Sequence, residues 1–326
     1  MNSKACKPHV SSLLAPVLEV VRPGMLTTIQ DLGRPGYQRF GVSPGGAMDP
    51  LALRLANRLV GNSERAAGLE ITVQGPTLQV LDDCFVAITG GNLCPLLESA
   101  AVRLWRAIRL VKGQSLIFGG RASGARAYLS IDGGFSVPEV LGSRSTDLQS
   151  SFGGLGGRRL LKGDLLFRIR SRNRAVKPAH VLCDALDEYE DPFRLRVLEG
   201  PQTALLSSGA MQRFLESEYV VTPASNRIGY RLGGPTVELI GKEIISDPVA
   251  LGSIQVLPGG QLVLLMADHQ TVGGYPKIAT LVSADVPKAA QLSIGDRVRF
   301  QKINLETAQH LWRRQERRIA TAVIQE

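Results

Sequence analysis

A mainly β fold made of two related units is predicted by three features of this sequence: turn-forming residues spread throughout, apolar runs of strand length, and a passage that returns later in the same order. The 326 residues include 35 glycines and 18 prolines, enough to punctuate many short strands and too few for a collagen-like or disordered chain. At ~150 residues per domain the length suits two globular units, each able to bury a core. Apolar runs such as Leu262 to Ala267 fall far short of the ~20 residues that span a bilayer. No basic-then-apolar leader opens the chain, so a cytoplasmic protein that is neither exported nor membrane-bound is expected.

Residues 1–16 are polar and aperiodic, and are expected to be a disordered N-terminus. Val17 to Val21 reads as the first strand. The stretches Gly33-Arg-Pro-Gly36 and Gly41-Val-Ser-Pro-Gly-Gly46 follow as loop. Asp49-Pro50 then opens a helix: Asp can cap free amides, Pro tolerates the first position, and Leu51, Leu55 and Leu59 share a face before Gly61-Asn62. Short strands are expected at Leu69–Val73, Leu78–Leu81, Phe85–Thr89, Ser115–Phe118, Ala127–Ile131 and Leu165–Ile169.

The repeat sets the domain organisation. Arg65-Ala-Ala-Gly-Leu-Glu-Ile-Thr-Val-Gln-Gly-Pro-Thr-Leu78 is echoed by Arg227-Ile-Gly-Tyr-Arg-Leu-Gly-Gly-Pro-Thr-Val237, and Leu161-Lys-Gly-Asp-Leu-Leu-Phe167 by Ile294-Gly-Asp-Arg-Val-Arg-Phe300. An internal duplication gives units at 17–178 and 190–303, joined by the polar segment Asp184 to Pro192. Each unit is expected to hold one helix, the second over about 203–217. Within 304–326, Leu305, Ala308, Trp312, Ile319 and Val323 recur at helical spacing and predict a C-terminal helix that seals the body.

The formal charge is +9, and most of the excess lies between Arg158 and Lys177. Arg168, Arg170, Arg172 and Arg174 alternate along one face of an extended segment. Only Phe167 is interleaved for base stacking, which argues against nucleic acid. Four cysteines, Cys6, Cys84, Cys94 and Cys183, form no Cys-x-x-Cys pair and no disulfide framework. Four scattered histidines give no metal cluster, so no metal is expected. Gly41-Val-Ser-Pro-Gly45 matches a nucleophile elbow, but Pro44 removes the N–H that the elbow needs. Gly153-Gly-Leu-Gly-Gly157 leads into arginines and a strand rather than a helix, unlike a phosphate cradle, and no P-loop occurs.

Four polar knots interrupt the apolar runs and carry the candidate site. In Gly45-Gly-Ala-Met-Asp49, Asp49 can cap the helix, handle a proton, or both. In Leu141-Gly-Ser-Arg-Ser-Thr146, Ser143, Arg144 and Ser145 could hold a carboxylate or phosphate, although turn chemistry also explains the serines. In Ser225-Asn-Arg-Ile-Gly-Tyr230, Arg227 and Tyr230 could clamp an anion or pin a loop. In Met266-Ala-Asp-His-Gln-Thr-Val-Gly-Gly-Tyr-Pro-Lys277, Asp268, His269, Gln270 and Lys277 gather proton-transfer and anion-binding groups at a strand end, with Tyr275 lining a pocket. The four knots are expected to face one cleft.

These residues carry a resemblance. Thr28-Ile-Gln-Asp-Leu-Gly-Arg-Pro-Gly36, Gly46-Ala-Met-Asp49, Arg54-Leu-Ala-Asn57 with Leu59-Val-Gly-Asn62, Leu69-Glu-Ile71, Leu141 to Thr146, Phe152-Gly-Gly-Leu155, Ile228-Gly-Tyr-Arg-Leu232 and His269-Gln-Thr-Val-Gly-Gly-Tyr-Pro-Lys-Ile278 resemble the biotin-dependent carboxyltransferase family, also called allophanate hydrolase subunit 2. The resemblance spans about 17–300 and implies two cyclophilin-like β-barrel units. Its free-standing branch looks like the C subunit of 5-oxoprolinase, which works with the A and B subunits in the ATP-dependent opening of the 5-oxoproline lactam to glutamate. A second branch is the carboxyltransferase part of urea carboxylase. A third was named for antagonising a kinase inhibitor.

The first branch implies an enzyme component inactive alone, with ATP at a site shared with the B subunit. No Ala-Met-Lys-Met-like segment is present, so no biotin attached to this chain is expected. Within that frame Asp49, Asp268, His269 and Lys277 are the catalytic candidates. Ser143, Arg144, Ser145, Arg227, Tyr230, Gln270 and Tyr275 are the substrate-binding candidates. Asn226 departs from the family pattern, where Asp often precedes the arginine, and so does Gly90-Gly-Asn92.

Overall fold

The computed structural model describes residues 14–169, 179–181, 192–240 and 244–325. Most of the expected disordered N-terminus, the basic residues Arg170, Arg172, Arg174 and Lys177, and the joint before Pro192 lie outside the described residues. Leu14, Ala15 and Pro16 already belong to the first strand, pairing with Ile169, Arg168 and Phe167, so that strand takes in three residues expected to be disordered.

The strands of the first half are β1 (Leu14–Arg22), β2 (Leu26–Gln30), β3 (Gly68–Thr72), β4 (Thr77–Val80), β5 (Cys84–Asn92), β6 (Leu96–Leu97), β7 (Ala100–Ala101), β8 (Ala107–Leu110), β9 (Ser115–Ile117), β10 (Ser123–Ile131) and β11 (Leu165–Ile169). They form a six-stranded sheet, β11-β1-β4-β9-β6-β7, and a five-stranded sheet, β2-β3-β10-β5-β8. Val17, Leu18, Leu69, Ile71, Leu78, Val86, Leu116 and Leu129 fill the core between them. After β12 (Ala179–Val181), the second half supplies β13 (Phe193–Glu199), β14 (Glu218–Val221), β15 (Gly229–Gly233), β16 (Asp247–Pro248), β17 (Ser253–Val256), β18 (Leu262–Leu265), β19 (Val272–Gly273), β20 (Lys277–Leu281) and β21 (Arg297–Lys302). Seven of these close a barrel, β13-β20-β17-β18-β15-β14-β21. Its interior holds an aromatic cluster in which Phe214 stacks on Phe300 with centroids 4.9 Å apart.

The duplicated motif folds the same way twice. In Leu161-Lys-Gly-Asp164 the Asp164 carboxylate accepts the Leu161 N–H at 2.7 Å. In Ser293-Ile-Gly-Asp296 the Asp296 carboxylate accepts the Ser293 N–H at 2.9 Å. Gly163 and Gly295 occupy left-handed backbone at φ 85° and 90°, where other residues are strained. Each turn reaches a corresponding strand: Gly163 and Asp164 bond Val20, while Gly295 and Asp296 bond Val221.

Helix α1 (Pro50–Leu59) begins where Asp49 Oδ1 accepts the Ala52 N–H at 2.9 Å, and it buries Ala52, Leu53, Leu55, Ala56 and Leu59. The helical region expected over 203–217 resolves into a short turn, Thr203–Leu205, and α2 (Ala210–Glu216). A small α3 (Val286–Ala290) also forms in the second half. Helix α4 (Leu305–Thr321) is capped by Asn304, whose side chain accepts the Thr307 N–H. It buries Ala308 and Ile319, whereas Leu305 and Trp312 remain 60% and 48% exposed. The expected apolar seal is therefore only partial. Val323 lies beyond the helix, in β22 (Val323–Gln325), which pairs with β12. Among the described residues no helix is long and apolar enough to cross a membrane.

Candidate functional site

The two halves meet at a buried seam whose centre is Arg227. Asn226 precedes it, and its side-chain oxygen accepts the Ile228 N–H at 2.8 Å, fixing the turn into β15. The Asn at this departure from the family pattern thus has a backbone role that needs only an acceptor oxygen. Beyond β18 the chain turns back so that the Asp268 N–H donates to the Arg227 carbonyl at 3.0 Å. Side chains follow the backbone: Arg227 Nε and Nη2 donate to the two Asp268 oxygens at 2.8 and 2.9 Å. Nη1 bonds Glu70 of β3, in the other half, and Nη2 also donates to the Gly46 carbonyl at 2.6 Å. One guanidinium therefore unites the first, third and fourth knots.

Burial alone would neutralise such charges, but here they support one another. Burial lowers the Arg227 pKa, yet Asp268 and Glu70 outweigh it and hold the guanidinium firmly charged. Burial pushes Glu70 up, yet Arg227, Arg126, the Tyr128 hydroxyl and the Met48 N–H together bring it below the usual carboxylate range. The Tyr128 hydroxyl donates to Glu70 at 2.6 Å and accepts the Asp49 N–H at 2.7 Å.

Asp49 lies one step deeper. Its Oδ1 caps α1, and its Oδ2 accepts from Gln291 Nε2 at 2.8 Å. Gln291 comes from the second half, and its Oε1 accepts the Ala125 and Arg126 N–H groups of β10, each at 3.0 Å. Burial dominates the Asp49 carboxyl and pushes its pKa up to about 6. Arg126 donates to the Tyr230 hydroxyl at 2.7 Å and to the Ala290 carbonyl. Arg126, Arg227, Tyr230 and Asp268 line a largely apolar cavity of about 360 Å³ together with residues such as Leu26 and Ile294. Among the seam carboxylates Asp268 alone borders this space; Glu70 and Asp49 stand behind it.

The second knot has a different role. Ser143 and Ser145 hydroxyls both donate to Asp31 Oδ1 at 2.6 Å, and the Arg144 N–H donates to Oδ2 at 2.6 Å. The Ser145 carbonyl in turn holds Arg34, which lies over the Phe152 ring at 4.7 Å and is 1% exposed. Burial lowers the Arg34 pKa against the opposing charges of Asp147, Asp31 and Asp268. The serines thus satisfy Asp31, and the Arg144 guanidinium faces outward to Glu139 at 3.3 Å, apart from the seam.

The C-terminal part of the fourth knot also separates from Arg227. His269 is buried, its Nδ1 lies 2.7 Å from the Gln270 carbonyl, and burial lowers its pKa. The Gln270 side chain reaches Gln255 Oε1 at 3.4 Å. Lys277 pairs with Asp247 at 2.5 Å, and Tyr275 lines a different cavity of about 560 Å³ with Val237, Leu257 and Pro258. The four knots are therefore neighbours without facing one cleft. Asp49, Arg227, Tyr230 and Asp268 converge, while Arg144, Tyr275 and Lys277 lie apart.

Sequence reasoning missed Glu70, Arg126, Tyr128, Gln291 and Arg34. A usable signal existed for two of them: Glu70 and Arg126 are single charges inside runs otherwise built for burial, which an interior strand tolerates only with a partner. Gln291 had no such signal, because its meaning depends on contacts with residues 242 and more than 160 positions away.

With this geometry in hand, known proteins are informative. The family model for the carboxyltransferase domain, subdomain A and B, matches residues 40–302. This chain belongs to that family. It is 37% identical over 293 residues to the 5-oxoprolinase C subunit of Escherichia coli, covering 90% of this chain and 93% of that one. The Haemophilus influenzae 5-oxoprolinase C subunit is also 37% identical, over 292 residues. Urea amidolyase of Saccharomyces cerevisiae is 33% identical over 313 residues, 90% of this chain but 17% of that protein. In structure, the K. lactis urea amidolyase superposes with a TM-score of 0.88 at 32% identity, over 93% of this chain and 20% of that one. The family's two-subdomain arrangement agrees with the paired halves joined at the Arg227 seam.

Proposed function

We propose that this chain is the C subunit of an ATP-dependent 5-oxoprolinase, opening the lactam of 5-oxoproline to glutamate together with the A and B subunits. The observation that carries this reading is the Asp268–Arg227 pair beside the seam cavity. Opening a lactam needs a group to accept or return a proton and fixed positive charge for the developing oxyanion. Asp268 supplies the first and Arg126, which borders the same cavity, the second, while Arg227 holds Asp268 in place. The 5-oxoprolinase relatives matched over nine-tenths of their length support the reading, whereas the urea amidolyases are matched over about a fifth or less.

The nucleotide belongs at a site completed by the B subunit. In the described glycine run Gly153–Gly157, three glycines are packed against neighbours: a Cβ at Gly153 would stand 2.1 Å from the Ser145 carbonyl, one at Gly154 1.9 Å from Thr146 Oγ1 and one at Gly157 2.0 Å from Ser151, whereas Gly156 meets nothing within 4 Å. These three glycines serve close packing. The chain alone is accordingly inactive. The test is to assay this chain, the B subunit, the pair, and the pair with the A subunit for ATP hydrolysis and 5-oxoproline consumption. Turnover only in the complete set is expected. Substantial turnover by the isolated chain, or none by the full set, would overturn the reading.

A further inference from the structure

We propose that Lys277 anchors a carboxylate-binding site that the chain keeps filled with its own Asp247. Lys277 opens β20 directly opposite Gln255 of β17, whose neighbours Ile254 and Val256 point into the barrel core. Gln255 and Lys277 therefore share the outer face, where cross-strand partners stand ~5 Å apart. The Lys277 side chain is 6% exposed, and its ammonium meets Asp247 Oδ2 at 2.5 Å. Asp247, in contrast, is 44% exposed and approaches from outside.

Three glutamine side chains, Gln202, Gln255 and Gln270, stand around this pair. Gln202 Nε2 also donates to Asp247 Oδ2, at 3.4 Å. Gln255 is 1% exposed, yet its Nε2 has no hydrogen-bond partner among the described residues. Gln270 Nε2 lies at 3.4 Å from Gln255 Oε1. Gly273 stands across β16 and β19 from Asp247, and a Cβ there would come within 3.0 Å of Gln255 Nε2 and 3.2 Å of Gln270 Nε2. Glycine at this position lets the β19 backbone pack closely against both amides. An ammonium with amide groups beside it suits a planar, singly charged carboxylate.

Asp247 meets that need from a weakly attached element. The pairing of β16 with β19 is two residues long, extended by one bond on either side, Val249 N–H to Thr271 and Ile244 N–H to Gly274. A carboxylate from solution can replace Asp247 without leaving Lys277 unpaired, because one anion substitutes for another. A site occupied internally binds an outside ligand weakly, in proportion to the fraction of time it is open.

The experiment measures acylation of Lys277 by mass spectrometry in the isolated full chain, with Lys112 and Lys288 as internal references. Acetate and 5-oxoproline are the carboxylate probes, 2-pyrrolidinone the lactam lacking a carboxylate, and chloride the ionic-strength control. Asp247→Asn should be protected by both carboxylates at about tenfold lower concentration than wild type, with no protection by 2-pyrrolidinone or chloride. Asp247→Ser should behave likewise, and thermal melts confirm that each variant is folded. If neither variant folds, carboxylate-selective protection of wild-type Lys277 still supports the site and its absence overturns it. Equal protection of wild type and variant, or protection by 2-pyrrolidinone, overturns the proposal. Neither the A nor the B subunit takes part, and no ATP is added, so failure of the 5-oxoprolinase reading would leave this outcome unchanged.

Discussion

The carboxylate of Asp268 grips Arg227 through two hydrogen bonds of 2.8 and 2.9 Å while Glu70 holds the same guanidinium from the opposite half of the molecule. Because Asp268 borders the seam cavity and Glu70 stands behind it, one arginine both joins the halves and fixes the group nearest the cavity. Stability and activity should therefore be linked at this residue.

Arg227→Ala should lower unfolding stability by about 3 to 5 kcal/mol, since it leaves two carboxylates buried without their cation. Urea denaturation measures it. A loss below ~1 kcal/mol, the range of an exposed pair, would mean that the seam is far wetter than its burial indicates.

Gln291→Ala tests the second tie. It removes acceptors from two buried N–H groups of β10 and a donor from Asp49, so a loss of about 2 to 4 kcal/mol is expected. Hydrogen exchange should show faster exchange at Ala125 and Arg126 in particular. Unchanged exchange at those two amides would contradict the assignment.

Asp49 predicts a pH dependence with an unusual sign. Its folded pKa of about 6 lies above the ordinary 3.8, so the folded state binds the proton more tightly than the unfolded state. The stabilisation is complete below about pH 4 and is lost as pH rises through 6, by about 3 kcal/mol in all. The difference in stability between wild type and Asp49→Asn, followed from pH 4 to 7, should fall over that window. A difference that is flat or rises with pH would show that the carboxyl is not held protonated.

How much of this was legible in the sequence depends on the range of the interaction. Local rules placed α1 correctly because Asp49 caps the amide three residues on and Pro50 follows it. The strand at Leu165–Ile169 was equally clear from its apolar run. β2 was missed because Leu26–Gln30 carries two threonines and a glutamine between glycine-rich turns, although Thr27, Thr28 and Gln30 are all buried. At the site, Arg227 and Asp268 were visible as charges within knots. Their partner Glu70 is 157 residues away from Arg227, and no spacing rule connects them. The surroundings of Arg144 were hidden for a related reason: its backbone N–H bonds Asp31, 113 residues away, while its guanidinium pairs with Glu139.

The packing of α4 on the first half rests on Arg54, which bonds both oxygens of Glu316 at 2.7 and 2.8 Å. With side chains 20% and 34% exposed, this pair should show a coupling of about 1 kcal/mol in a double-mutant cycle, smaller at high salt. Zero coupling at low salt would mean that the helix is held on the first half by the packing of Ile319 and the bond from Arg58 to the Ala320 carbonyl.

The most direct test is 5-oxoproline turnover by this chain together with the A and B subunits, wild type against Asp268→Asn. Asn keeps the size of the side chain and one acceptor but sets an NH2 against one Arg227 N–H, so the variant should melt several degrees lower yet remain folded at the assay temperature, as melts run alongside check. Turnover should fall by about 100-fold or more, as expected for loss of a proton-transfer group. Turnover within about threefold of wild type, far below any general acid–base contribution, would contradict the placement of the chemistry at Asp268.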